Sequence, residues 1–253
     1  MLSQAARTHD VRVNPAFHSG QHLACSTCSL AELCLPMGLN HDDMQRVDDL
    51  VERSELMHEG EHLFRIGDRF KRVYAVRVGT YKSYTVDSEG REHVLGFHLP
   101  GELIGLDAIH SGVHRSNAVA LDTATVCMLS YEALDKLAGE ISGLRTQMFK
   151  LMSKDISDAA ALAGDFTAEE RIAAFLTSLS KRYHLRGFSP LEFNLTMSRR
   201  DIANFLRLAP ETVSRVFARF EKDKLIAVER RSLRITALTK LLDMAHCVGE
   251  IHA

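Results

Sequence analysis

The spacing of apolar residues changes several times along the chain, and each change marks a different kind of element. The first forty residues show little periodicity and read as an irregular arm. From His41 to Val51 the apolar positions Met44, Val47, Leu50 and Val51 share one helical face. Between Ser54 and Leu129 the runs become short and alternating (Tyr74, Val76, Val78; Tyr84, Val86; Val94, Gly96, Phe97), separated by Gly60, Gly67, Gly79, Gly90, Gly101 and Gly105. Brief strands between regular glycine turns predict a small antiparallel barrel or sandwich. From Tyr131 to Asp165 helical spacing returns without proline. Leu134, Leu137, Ile141 and Leu144 begin a stripe that Phe149, Met152, Ile156, Ala159 and Ala163 continue, and Gly139 and Gly143 predict a break near Ser142.

The remaining pattern is that of a small helical domain. Thr167 to Tyr183 is amphipathic through Ile172, Phe175, Leu176 and Leu179, and Phe193 to Leu195 reads as a strand. Ser198 with Asp201 three residues on caps a helix start, and the helix continues through Leu206. A tight break over Arg207, Leu208 and Ala209 precedes Pro210, a favoured first helical residue, and a second helix from Glu211 to Asp223. Two short helices joined by about three residues, the second basic, predict a helix-turn-helix. Leu225 to Ile235 reads as a basic hairpin, or wing, and Thr239 to Ala245 as a closing helix.

Composition adds a division of labour. At 253 residues, 45% hydrophobic and 25% charged, the chain has the content of an ordinary two-domain protein. No apolar run reaches membrane-helix length and no secretory layout stands at the N-terminus, so a cytoplasmic protein with no membrane partner is expected. The formal net charge of −2 hides an asymmetry: Thr196 to Thr236 carries +5, leaving −7 elsewhere. A basic C-terminal segment on an acidic body points to a polyanion as the partner of one domain. The sequence has no nucleophile elbow, HExxH, P-loop or dinucleotide fingerprint, so no enzyme is expected.

The recognition helix carries a readable face. Glu211, Ser214, Arg215 and Ala218 recur at steps of three and four; Glu can accept from cytosine N4 and Arg can donate to guanine O6 and N7. Arg199, Arg200, Arg219 and the wing arginines are candidates for phosphate contacts on double-stranded DNA. The stripe Phe149, Met152, Ile156, Ala159 and Ala163 suits a parallel homodimer seam, flanked by Asp155 and Asp158, whose like charges would weaken it. A core helix packed on its own domain is the alternative.

Five cysteines are present: Cys25, Cys28, Cys34, Cys127 and Cys247. An odd count in a reducing compartment speaks for metal or redox work rather than disulfides. Cys25-x2-Cys28-x5-Cys34 is a thiolate cluster that either an iron-sulfur centre or zinc could use. From its apolar strand context alone, Cys127 reads as a small buried residue.

The stretch Leu195-Thr-Met-Ser-Arg-Arg-Asp-Ile-Ala-Asn-Phe-Leu206 followed by Glu211-Thr-Val-Ser-Arg215 resembles the DNA-binding signature of the CRP/FNR family, with the Glu-x-x-Ser-Arg combination of its FNR branch. The resemblance runs from the cysteine arm through Gly67-Asp68, Gly96-Phe97-His98-Leu99 and Gly101-Glu102-Leu103 to the recognition helix. It implies an α+β fold: a cysteine-rich arm (1–40), a β-roll sensor domain like that of cyclic-nucleotide-binding proteins (41–135), a long dimerisation helix (136–166) and a winged helix-turn-helix domain (167–253). It nominates Cys127 as fourth ligand of a 4Fe-4S cluster with Cys25, Cys28 and Cys34, and leaves Cys247 out. It further implies oxygen-controlled dimerisation, an inverted-repeat site of the TTGAT kind, and contact of the loop Thr85 to Glu92 with RNA polymerase. Ala209 stands where the family commonly has a hydroxyl cap. Two other readings stay open: a cyclic-nucleotide regulator of the CRP branch using Glu102 and Arg115-Ser116, and a zinc-stabilised DNA-binding protein without redox sensing.

Overall fold

The computed structural model describes residues 24–54, 56–161 and 164–245. It forms two compact units that divide between Phe149 and Lys150. Among the described residues no helix is long and apolar enough to cross a membrane.

In the first unit the arm makes two short 3-10 turns, Cys25–Thr27 and Ala31–Leu33, before helix α1 (His41–Asp48). Asn40 caps α1 by accepting from the Asp43 amide. Eight strands follow: β1 (Val51–Arg53), β2 (His62–Phe64), β3 (Arg72–Val78), β4 (Tyr81–Val86), β5 (Glu92–His98), β6 (Leu103–Ile104), β7 (Asn117–Ala120) and β8 (Thr125–Ser130). They form two antiparallel sheets ordered β1-β8-β3-β6 and β2-β7-β4-β5, the small β-rich domain expected from the alternating pattern. Between β3 and β4 the chain turns at Gly79, with φ +80; a Cβ there would sit 2.6 Å from the Thr123 carbonyl, so only glycine fits.

The pleat decides which residues meet in the core. Successive side chains of a strand point to opposite faces. Tyr74 and Val76 of β3, Ile104 of β6, and Val126 and Met128 of β8 pack against Leu63, Phe64, Tyr81, Ala118 and Ala120 of the other sheet. The alternate positions, Ala75 and Arg77 on β3 and Cys127 on β8, therefore lie on the outer face of the first sheet.

Helix α2 (Tyr131–Glu140) ends at Ile141, whose φ of −108° and ψ of 101° are extended, and α3 (Ser142–Ala161) begins at the next residue. The break falls where Gly139 and Gly143 predicted it. The second unit contains α4 (Ala168–Leu185), β9 (Glu192–Asn194), α5 (Arg199–Phe205), α6 (Pro210–Lys222), β10 (Ile226–Glu229), β11 (Ser232–Ile235) and α7 (Leu238–Ala245), with a three-stranded sheet ordered β10-β11-β9. Thr167 with Glu170 and Ser198 with Asp201 form capping boxes at the starts of α4 and α5. Ile172, Leu176, Ile202, Leu206, Val213, Phe220 and Leu233 are buried in its core.

Candidate functional site

Strand register places the sheet side of the cysteine site. Cys127 pairs with Arg53 on β1 and with Ala75 on β3. Arg53, Ala75 and Cys127 therefore present side chains to one face, and Arg77, at the register shift between Val76 and Val78, also lines the cavity there. The arm covers that face. Its Leu35 is buried, and its Leu33 presses on the turn after β5, where an added Cβ on Gly101 would come 3.0 Å from the Leu33 Cβ. Gly101 has φ +90, a conformation that favours glycine and that lets the arm approach closely. Asp48, a buried carboxylate at the end of α1, accepts the Cys25 amide at 3.0 Å and anchors the start of the arm.

Together these elements enclose a partly open cavity of about 500 Å³, a figure that includes solvent at its mouth. Cys25, Cys28, Cys34 and Cys127 all line it, with Leu35, Val47 and Leu129 among the apolar walls and Arg53 and Arg77 as the charged groups. The structure thus brings together the three arm cysteines and the strand cysteine singled out by the family resemblance; Cys247 lies outside the described residues. The four are unpaired thiols. Among the described residues no group of three or more Cys, His, Asp or Glu side chains stands arranged to hold a metal ion.

The local electrostatics favour the neutral thiol at Cys25, Cys34 and Cys127 in the metal-free protein. Burial pushes the Cys34 thiol up to about 12, and the neighbouring Cys127 and Cys28 sulfurs oppose its ionisation further. Cys25 is raised well above the ordinary thiol range by burial, then by the charge and hydrogen bond of Asp48. Burial also raises Cys127, against the pull of the Arg53 and Arg77 charges. The Arg53 Nη1 donates to the Cys127 sulfur at 3.2 Å and the Arg77 Nη1 to the Cys28 sulfur at 3.5 Å. Neither arginine, nor Asp48, was signalled by sequence spacing; the three come together only through register and arm docking.

In the second unit, α6 separates its faces cleanly. Val213, Val216, Phe217 and Phe220 are buried, while Glu211, Ser214, Arg215, Ala218 and Arg219 are exposed. The α5 to α6 turn runs through Arg207 in the left-handed conformation, φ 55°, and closes with the Leu208 amide donating to the Ala203 carbonyl. Ala209 has cap-like backbone angles and no side-chain hydrogen bond.

The expected phosphate contacts divide. Arg200 is exposed. Arg199 instead lies over the Phe217 ring at 3.6 Å and is partly buried, which makes its guanidinium a packing element of the helix pair. Arg219 pairs with Glu169 at 2.9 Å, and on the wing Arg234 grips Glu192 with two nitrogens at 3.2 and 3.3 Å. These two are engaged within the protein, an arrangement that charge counting along the sequence does not reveal.

On α3, Phe149 and Ile156 are 64% and 70% exposed, Ala159 is exposed, and Met152 is partly so. Phe149, Ile156 and Ala159 are therefore not core positions within the chain; Ala163 lies outside the described residues. Asp158 pairs with Lys154 at 2.9 Å within the helix, which moderates the like-charge repulsion expected there. Of the groups named for a cyclic nucleotide, Arg115 is exposed, whereas Ser116 and Glu102 are engaged internally. The Ser116 hydroxyl is buried and donates to the Asp107 carboxylate at 3.0 Å, and the Glu102 carboxylate accepts the Leu99 amide.

A sensor-like β domain joined to a helix-turn-helix defines a DNA-binding transcription regulator, and comparison with known proteins agrees. The family described as cyclic nucleotide-binding domain matches residues 55–140, and that described as Crp-like helix-turn-helix domain matches residues 170–244. The chain is 44% identical to the fumarate and nitrate reduction regulatory protein of Escherichia coli, over 89% of this chain and 92% of that protein. The protein of the same name from Salmonella typhi is 46% identical over 85% and 88%. Among solved structures, FixK2 from Bradyrhizobium japonicum superposes with a TM-score of 0.69 at 28% identity, covering 77% of this chain and 96% of that one. The chain belongs to the FNR branch of the CRP/FNR family: it is a DNA-binding transcription regulator of a family that acts as dimers, and not an enzyme.

Proposed function

We propose that this regulator is oxygen-responsive, that Cys25, Cys28, Cys34 and Cys127 hold a 4Fe-4S cluster, and that the loaded state favours a homodimer able to bind an inverted-repeat promoter site. The observation that carries this reading is the sharing of one cavity by all four cysteines, three from the arm and one from the sheet. The donor set suits the group, because thiolates are the usual ligands of iron-sulfur clusters. When bound, the cluster supplies an oxygen-labile link between arm and sheet. The remaining work belongs to the protein. Asp48 anchors the arm at Cys25, Gly101 lets Leu33 seat, and the apolar walls limit water at the sulfurs. Loading must displace thiol protons, so it is pH-dependent.

For DNA, Glu211 and Arg215 are the proposed readers of a G·C pair, Ser214 reads a neighbouring base, and Arg200 holds phosphate. Arg219 joins in once it exchanges Glu169 for a phosphate, whereas Arg199 acts by bracing α6 through Phe217. The dimer seam is formed by Phe149, Met152, Ile156, Ala159 and Ala163, within the domain division 1–40, 41–135, 136–166 and 167–253. The protein works in the cytoplasm, and the loop from Thr85 to Glu92 contacts RNA polymerase. A cyclic nucleotide is disfavoured, because its phosphate would meet the Asp107 carboxylate already bound to Ser116.

Protein purified without oxygen tests this reading. A brown sample with acid-labile sulfide that bleaches in air supports it; a colourless sample with one zinc per chain contradicts it.

A further inference from the structure

The two arginines of the cavity are placed by the sheet and not by the arm. Arg53 stands directly opposite Cys127 in the β1–β8 register, and Arg77 stands on β3 at the register shift between Val76 and Val78 and lines the same cavity. Each aims one guanidinium nitrogen at a different sulfur: Arg53 at Cys127, 3.2 Å, and Arg77 at Cys28, 3.5 Å. Apart from these groups and the sulfurs, the cavity is lined almost wholly by apolar side chains.

Four thiolates around a metal centre form an anionic group, and an anion in an apolar enclosure is stabilised by whatever cations and donors the protein has fixed there beforehand. Hydrogen bonds to the sulfurs and local net charge are the means by which a protein sets the potential of an iron-sulfur centre. A guanidinium suits the task, since it stays charged and its planar fork keeps a donor aimed while the stem packs.

We propose that Arg53 and Arg77 are positioning residues of the cysteine site, donating N–H···S hydrogen bonds to Cys127 and Cys28 that set the reduction potential of the bound centre and its persistence in oxygen. This rests on the reading that the four cysteines hold an iron-sulfur cluster. The roles of the two differ. Arg53 reaches from β1 to Cys127 on β8, whereas Arg77 reaches from β3 to the arm, bonds Cys28, and also favours the Cys127 thiolate by its charge and hydrogen bonding. Both favour the more negative, reduced form of the centre. Removing either therefore lowers the potential and eases the loss of an electron to oxygen.

The test reconstitutes the full chain with iron and sulfide in the absence of oxygen, as wild type and as Arg53→Met, Arg77→Met, Arg53→Lys and Arg77→Lys. The midpoint potential is read by titration with a one-electron reductant, and the decay of visible absorbance is followed after mixing with aerated buffer. Each Met variant should shift the reduction equilibrium by about tenfold, the lower end of supporting-residue effects. For a one-electron couple that is about 59 mV toward more negative values. Bleaching should be several-fold faster, and Lys should restore part of both effects. If a Met variant does not load, its Lys counterpart decides, by a potential below that of wild type. Loaded variants with the potential and decay of wild type overturn the proposal and leave the arginines as packing groups. A wild-type chain that takes up no iron and sulfide overturns instead the cluster reading on which the proposal stands.

Discussion

Asp48 offers a direct probe of how the arm is held. Its Oδ1 accepts the backbone N–H of Cys25 at 3.0 Å, across 23 residues of sequence, and the residue is only 7% exposed. A hydrogen bond to a charged, sheltered acceptor contributes about 1.5–3 kcal/mol, which corresponds to roughly ten- to a hundredfold in the docked fraction of the arm. Asp48→Ala removes acceptor and charge together; Asp48→Asn keeps an acceptor and removes the charge. Amide hydrogen exchange at Cys25, followed by mass spectrometry on cluster-free protein kept from oxygen, reads the bond at its own donor. Exchange at Cys25 should quicken about ten- to a hundredfold in Asp48→Ala and by much less in Asp48→Asn, while the amides of α6 stay as in wild type. Equal Cys25 exchange in wild type and Asp48→Ala would refute the anchoring role.

Three further outcomes follow from the same structure. Arg215→Ala should lose about 1–3 kcal/mol of preference at one base pair, whereas Arg200→Ala should weaken all sequences alike and reduce the salt slope by about one, both read by DNA titration over a salt series. Ala209→Ser, at a position whose backbone already has cap geometry, should stabilise α6 by about 1 kcal/mol, read as a raised thermal midpoint; an unchanged midpoint would show that the cap is unused. His114 stacks on Phe64 with ring centroids 3.7 Å apart, and burial lowers its pKa. The unfolded chain therefore binds the extra proton first, and stability is full above about pH 6.5 and falls as the pH drops below it. In His114→Phe the fall in melting temperature between about pH 7 and pH 5 should be shallower; an identical slope would assign the titration elsewhere.

Much of the architecture is legible in spacing because it is local. The extended Ile141 between two helices follows from flanking glycines, and the capping box at α5 from Ser198 and Asp201. Strand parity also carries the place of Cys127: Val126 and Met128 are large and apolar and take the core, so the residue between them faces outward. What spacing could not disclose was long-range. Arg53 meets Cys127 across 74 residues and Arg77 meets Cys28 across 49, through register and arm docking that leave no period in the chain. The engagement of Arg199 by Phe217 and of Arg234 by Glu192 was hidden for the same reason, since a basic residue reads alike in sequence whether it faces DNA or an aromatic ring.

The central claim is that an iron-sulfur centre joining arm to sheet governs pairing and DNA binding. Its most direct measurement is fluorescence anisotropy of a labelled inverted-repeat duplex titrated with one oxygen-free sample, before and after controlled exposure to air, with absorbance recorded alongside. Binding should be tight at first and be lost in step with the visible colour. Undiminished affinity after the colour and the labile sulfide are gone would contradict it.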